Sequence, residues 1–196
     1  MPLPLIVGIT GASGAIYGVR MLEVLRRSGV PAHLIISRSA GQTLSEEMDM
    51  PVEKVRTLAD VVYANSDLGA AVSSGSFKTR GMIVIPCSIR TLSDIAYGDT
   101  DSLVSRAADV ILKERRRLVL VVRETPLHAG HLRSMLAATE NGAIIMPPVP
   151  AFYHRPRTID DIVNQTVGRA LDLFDIDAGI VKRWRSGETA GGETAE

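Results

Sequence analysis

The feature that most constrains this chain is an alternation: short aliphatic runs are separated repeatedly by stretches whose apolar residues recur at helical spacing. Leu5-Ile6-Val7-Gly8-Ile9 is the first such run. A strand with no polar face must be covered on both sides, as strands inside a parallel sheet are. A helical stretch over residues 15–27 follows, with Ile16, Val19, Leu22 and Leu25 at helical spacing, and Gly29 stops it. Further strands are predicted at 32–36, at 82–85 (cut off by Pro86), at 118–122 and at 143–146. Helices are predicted from about Ser39, and over 52–58, 91–96, 103–116, 132–140 and 159–174. Five strands alternating with helices imply one three-layer α/β domain with a mostly parallel sheet.

Composition narrows the class. A chain of 196 residues with 45% hydrophobic side chains can bury one substantial core. The domain is expected to span 1–185. Residues 186–196, where Gly-Glu-Thr-Ala occurs twice, are expected to be a disordered polar tail. Basic and acidic residues balance at 22 each, which argues against a general nucleic-acid or membrane-surface binder. No apolar run approaches the ~20 residues of a bilayer span, so a soluble, cytoplasmic protein is expected. The lone Cys87 cannot form an internal disulfide and reads as a small buried residue rather than a nucleophile. His128, His131 and His154 lack acidic partners at ligand spacing, so no metal is expected. Among the basic residues there are only four lysines. The arginine excess suits phosphate, carboxylate or subunit contacts, and a GC-rich genome would produce it equally. The run Lys113-Glu114-Arg115-Arg116-Arg117 reads as a solvated or interfacial helix end.

In such folds ligands lie beyond the carboxyl ends of the strands, so the loops there matter most. Thr10-Gly11-Ala12-Ser13-Gly14 opens a helix with free amides and small side chains, which suits a nucleotide or flavin phosphate; a tight turn without ligand is the other reading. No Lys-Ser/Thr pair follows the glycines, so it is not a Walker loop, nor is the spacing Gly-x-Gly-x-x-Gly. The loop also resembles the opening of short-chain dehydrogenases, and Arg38 would permit NADP. None of Tyr17, Tyr63, Tyr97 or Tyr153 has a lysine four residues on, which leaves that reading the weaker one. Ser37, the segment Pro86-Cys87-Ser88-Ile89-Arg90-Thr91 and the segment Arg123-Glu124-Thr125-Pro126 end the later strands with hydroxyls and amides. These suit a neutral ring system carrying a phosphate tail, although capping alone would also explain each.

Seven blocks in order carry a resemblance: Gly11-Ala12-Ser13-Gly14, Ser73-Ser74-Gly75-Ser76-Phe77, Pro86-Cys87-Ser88, Arg106-Ala107-Ala108-Asp109, Leu112-Lys113-Glu114-Arg115-Arg116, Arg123-Glu124-Thr125-Pro126-Leu127 and Pro150-Ala151-Phe152-Tyr153. Together they resemble the bacterial flavin prenyltransferase family (UbiX type), formerly labelled aromatic-acid decarboxylases, from about Leu5 to Phe174. The resemblance implies a doubly wound, Rossmann-like or flavodoxin-like subunit in a large homo-oligomer, commonly a dodecamer, with sites near subunit contacts. It implies that reduced FMN and dimethylallyl monophosphate give prenylated FMN and phosphate without a metal, the prenyl group bonding to N5 and then C6. The product would pass to a separate decarboxylase, in ubiquinone synthesis or in phenolic-acid breakdown.

By position, the resemblance implies that Gly11, Ala12, Ser13, Ser37, Ser88, Ile89, Arg90, Thr91 and Arg123 bind FMN. Tyr153 and Arg169 would hold the dimethylallyl phosphate, with Arg123 able to serve both. Glu140 would transfer the proton at ring closure, and Ser13 would hydrogen-bond near flavin N5. The alternative of another class is an FMN-binding accessory subunit of a decarboxylase, which has no need of a second phosphate site.

Overall fold

A computed structural model describes residues 2–184; the expected tail at 186–196 lies outside the described residues. Six strands, β1 (Leu5–Ile9), β2 (Ala32–Ile36), β3 (Val61–Ala64), β4 (Gly81–Cys87), β5 (Leu118–Val122) and β6 (Ile144–Ile145), form one sheet. All pairings are parallel, in the order β3-β2-β1-β4-β5-β6. The order reverses between β1 and β4, and in open parallel sheets a crevice for ligands opens at such a point.

Seven α-helices cover the faces. On one side lie α1 (Ala15–Arg27), α2 (Arg38–Met48), α3 (Val52–Arg56) and α7 (Ile159–Asp172); on the other, α4 (Ile89–Tyr97), α5 (Leu103–Lys113) and α6 (Ala129–Glu140). Because side chains alternate along a strand, the central strands feed two cores. Leu5, Val7, Ile9, Ile83, Ile85, Val119 and Val121 face α1 and α7. Ile6, Met82, Val84, Leu118, Leu120 and Val122 face α4 and α5. All thirteen are at most 2% exposed, which explains why β1, β4 and β5 read as unbroken aliphatic runs.

The sheet has one strand more than expected. β3 is a four-residue edge strand, and Val61 and Val62 on it remain more than a third exposed. It pairs only with β2, so it needs no two-sided apolar pattern. Pro86 also does not end its strand. β4 continues to Cys87, with the register against β5 shifting between Val84 and Cys87. A residue that cannot donate to a ladder fits at such an irregularity. The Pro86 carbonyl instead accepts the Thr10 amide (3.2 Å) and hydroxyl (2.8 Å).

Close packing seats α1 on the sheet. A Cβ at Gly18 would come within 2.6 Å of the Ile85 carbonyl oxygen, so only glycine lets the helix approach β4 this closely. That contact fixes where the loop before α1 emerges.

Candidate active site

Thr10 ties the two central strand ends together. Besides its bonds to Pro86, its buried hydroxyl accepts the Ser88 amide at 2.8 Å. The β1–α1 and β4–α4 loops are thereby held side by side. Ser88 caps α4 by accepting the Thr91 amide (3.3 Å), and its hydroxyl donates to the Thr91 hydroxyl (3.1 Å). Ser37 caps α2 in the same way, accepting the Ala40 amide at 3.2 Å. Gly11 lies against this turn, where any Cβ would fall 2.3 Å from the Ser39 hydroxyl oxygen. Three helix starts therefore converge at the carboxyl edge, each with its positive dipole end there.

Between them opens a cleft of about 700 Å³ lined by Gly11, Ser37, Arg38, Ser88, Arg90 and Thr91, with Asp94, Asp99 and Asp101 also along its wall. Burial, then Asp99, push the Asp94 carboxyl up; Arg90 acts against them. Asn65, at the end of β3, also lines it, and its backbone and side-chain oxygens accept the Leu103 and Val104 amides that begin α5. The volume is within the ~300–1,000 Å³ of small-molecule sites.

A second cleft of about 450 Å³ is lined by Ser13, Gly14, Tyr17, Val122, Arg123, Glu124, Thr125 and the segment Pro147-Pro148-Val149-Pro150. It has a polar wall and an apolar one. Glu47, reaching over from α2, accepts the Gly14 amide at 2.8 Å and the Ala15 amide at 2.9 Å. Partial burial pushes its carboxyl up, but bonds from the Ser13 side chain and those two amides, with the Arg123 charge, outweigh it and hold Glu47 below the usual range. Glu47 therefore takes the place of a side-chain cap at α1, whose Gly14 offers none. Burial pushes the Tyr17 phenol up, against a hydrogen bond with Thr166, so it stays protonated near neutral pH. Cys87 is fully buried and its thiol is pushed up far beyond its ordinary value, which makes it a packing residue.

Of the residues singled out in the sequence, the structure brings Gly11, Ser37, Ser88, Arg90 and Thr91 into the first cleft and Ser13 and Arg123 into the second. Ala12 is buried beneath the loop between them, and Ile89 is half-buried at the start of α4. Tyr153 and Arg169 line neither cleft: Tyr153 sits in the segment before α7, and Arg169 is exposed on that helix. The Tyr153 hydroxyl accepts from the Gln165 side chain (2.8 Å) and donates to the Lys182 carbonyl (3.1 Å); Arg169, one turn beyond Gln165, pairs with Asp172 at 2.6 Å.

Glu140 is not brought to either cleft. It ends α6, which leaves β5 at the carboxyl edge and returns to the start of the parallel strand β6, so its last residue lies at the amino edge. The carboxylates that do reach the second cleft are Glu124, which lines it, and Glu47, bound to the loop amides at its rim. Glu124 carried a signal in the sequence, its adjacency to Arg123. Glu47 had none, since it meets Gly14 from 33 residues away.

The family described as Flavoprotein matches residues 2–171. The flavin prenyltransferase UbiX of Escherichia coli K12 is 59% identical over 184 residues, covering 92% of this chain and 97% of that protein. That of Thauera aromatica is 54% identical over 184 residues, covering 94% and 95%. Among solved structures, AnUbiX (PadA1) in complex with FMN and dimethylallyl pyrophosphate superposes with a TM-score of 0.94 at 52% identity, covering 96% of this chain and 100% of that one. A dodecameric FMN-dependent UbiX-like decarboxylase from Escherichia coli O157:H7 gives 0.91 at 49% identity, covering 94% and 100%.

Proposed function

Because the chain belongs to the flavoprotein family of UbiX-type flavin prenyltransferases, we propose that it joins a dimethylallyl group to reduced FMN across its two carboxyl-edge clefts. The observation that carries this reading is the pairing of the clefts about one glycine loop. One is lined by serine and threonine hydroxyls with Arg38, Arg90 and three aspartates, the other by Arg123, Ser13, Glu124 and an apolar proline segment. FMN fits the residues present: Gly11 keeps the loop surface free of side chain, and Ser37, Ser88 and Thr91 offer hydroxyls to its phosphate and ribityl chain. Bound there, reduced flavin supplies the nucleophilic N5 and C6 that take the prenyl group.

The protein's part is electrostatic and protective. As the allylic carbon–oxygen bond breaks, charge grows on the departing phosphate, and Arg123 is placed to stabilise it. Val122, Pro147, Pro148 and Pro150 exclude water from an allylic cation. Ser13, bonded to the Glu47 carboxylate, can relay the proton given up at the alkylated carbon, and Glu124 stands in the same cleft. These carboxylates take the role that the resemblance assigned to Glu140.

Tyr153, in the segment before α7, and Arg169, exposed on that helix, serve the donor phosphate of another copy. The site is thus completed between subunits of a homo-oligomer, a dodecamer as in the UbiX-like decarboxylase above. The donor is dimethylallyl monophosphate, as the resemblance implies. Prenylated FMN then passes to a separate decarboxylase. No described helix is long and apolar enough to cross a membrane, and reaction in the cytoplasm accords with that. Anaerobic incubation with reduced FMN and either dimethylallyl monophosphate or the diphosphate, read by product mass, tests the reading. It expects the mass of one added prenyl group with the monophosphate. FMN returned unchanged with both donors would leave only the accessory flavin-binding role.

A further inference from the structure

The amino edge of the sheet carries a recess unrelated to either cleft. It holds about 500 Å³ and is lined by Arg80, Arg115, Arg116 and Arg117, one carboxylate (Asp175), and the side chains of Ile144 and Phe174. Gly81 allows this packing: a Cβ there would meet the Arg117 carbonyl oxygen at 2.4 Å and the Phe174 ring at 2.9 Å.

Three of the guanidiniums are fixed by carbonyl groups. Arg116 donates to Phe77 (2.6 Å) and Gly75 (2.7 Å), Arg80 to Phe174 (3.4 Å), and Arg117 to Leu173 and to the Asp175 carboxylate (3.1 Å). Each guanidinium has five N–H donors, so these bonds position the groups without exhausting them. The Nε of Arg80 is buried and unpartnered among the described residues. Arg115 has no carboxylate partner among them and is held at φ 56, a conformation uncommon for a residue with a Cβ. Four cations line the recess with one carboxylate, a second, Glu114, standing 3.9 Å from Arg116 at its side, and a buried cationic donor left without an acceptor is costly.

We propose that this recess is a second anion site, which takes a phosphate dianion, either free or as the phosphoryl group of a small phosphomonoester. Planar guanidinium forks match phosphate oxygens in pairs, and Arg80, Arg116 and Arg117 are already oriented. A volume of about 500 Å³ suits a small anion, and Ile144 and Phe174 beside the guanidiniums leave an apolar surface for a carrying group. The site stands on its own observations and does not depend on the function proposed above.

The test is calorimetric titration of FMN-saturated protein, at ionic strength held constant with KCl, with inorganic phosphate and separately with phenyl phosphate. Arg123→Ala, which alters the carboxyl edge, should retain saturable binding. Arg115→Ala, at an exposed side chain, should weaken it at least about tenfold and leave prenylation turnover unchanged. Tighter binding of phenyl phosphate than of phosphate would identify the monoester as the ligand, and the reverse the free ion. Three results would overturn the proposal: no saturable site, binding lost with Arg123→Ala alone, or binding indifferent to Arg115→Ala. So would a change of oligomer mass in Arg115→Ala, which would make the recess a subunit contact.

Discussion

The two edges of one sheet present different chemistries. At the carboxyl edge the chain offers serine and threonine hydroxyls and glycines, with Arg123 in the second cleft and Arg38 and Arg90 beside three aspartates in the first. At the amino edge it offers four arginines around Asp175. The difference follows from what each edge is made of. Helices begin at the carboxyl edge, so backbone donors and caps converge there. Helices end at the amino edge, where exposed carbonyls call for cations, and Arg80 and Arg117 bond the carbonyls that follow α7. A site of backbone donors depends on close packing; one of guanidiniums depends on charge and salt.

Arg123→Ala should show the largest effect, since the second cleft has no other arginine among the described residues to take over. A fall in kcat/KM corresponding to about 2–4 kcal/mol is expected, with an unchanged melting temperature. A loss of fold instead would make Arg123 structural.

Gly18→Ala strikes the packing on which the carboxyl edge rests. Its Cβ would meet the Ile85 carbonyl oxygen at 2.6 Å, and overpacking of this kind costs about 1–3 kcal/mol. Urea denaturation should show it, with flavin affinity falling as well. Unchanged stability would mean that α1 is not seated against β4 as described.

Glu47→Gln should act through pH. The folded carboxyl lies below its unfolded value of about 4.3, so its contribution is complete above that value and disappears as pH falls through the lower, folded one. Flavin binding by the parent should therefore hold through mildly acidic pH and weaken only below the ordinary glutamate range. The variant should lose that acid limb and bind flavin more weakly at neutral pH. An identical profile in both would remove Glu47 from the loop's support.

Glu140→Gln should have the smallest effect, within about 0.5 kcal/mol in turnover, as for a surface residue away from any site. A large loss would return the proton-transfer role to Glu140, supplied by a neighbouring copy.

Much of this was legible in the sequence where the physics was two-sided. β1, β2, β5 and α1 fall at the expected residues because an aliphatic run with no polar face has few other solutions. β3 was not legible, since an edge strand with Val61 and Val62 half in solvent leaves no such pattern. With it went Asn65, which lines the first cleft. The helix-opening loops were readable because Ser37 and Ser88 are cap residues at strand ends. Glu47 was not, because its role arises from tertiary approach alone. Glu140 misled because its position in the chain says nothing of which edge α6 ends on until β6 is placed beside β5.

The claim that the Arg123 cleft of one copy is completed by α7 of another is tested most directly by subunit complementation. Arg123→Ala and Arg169→Ala chains, each inactive in its own oligomer, are co-expressed, and the mixed assemblies are assayed anaerobically for prenylated FMN. Recovery of activity in the mixture is predicted, because some sites then combine an intact Arg123 with an intact Arg169 from the neighbour. Mixed oligomers as inactive as either parent would show that both residues must come from the same chain, and would contradict the shared site.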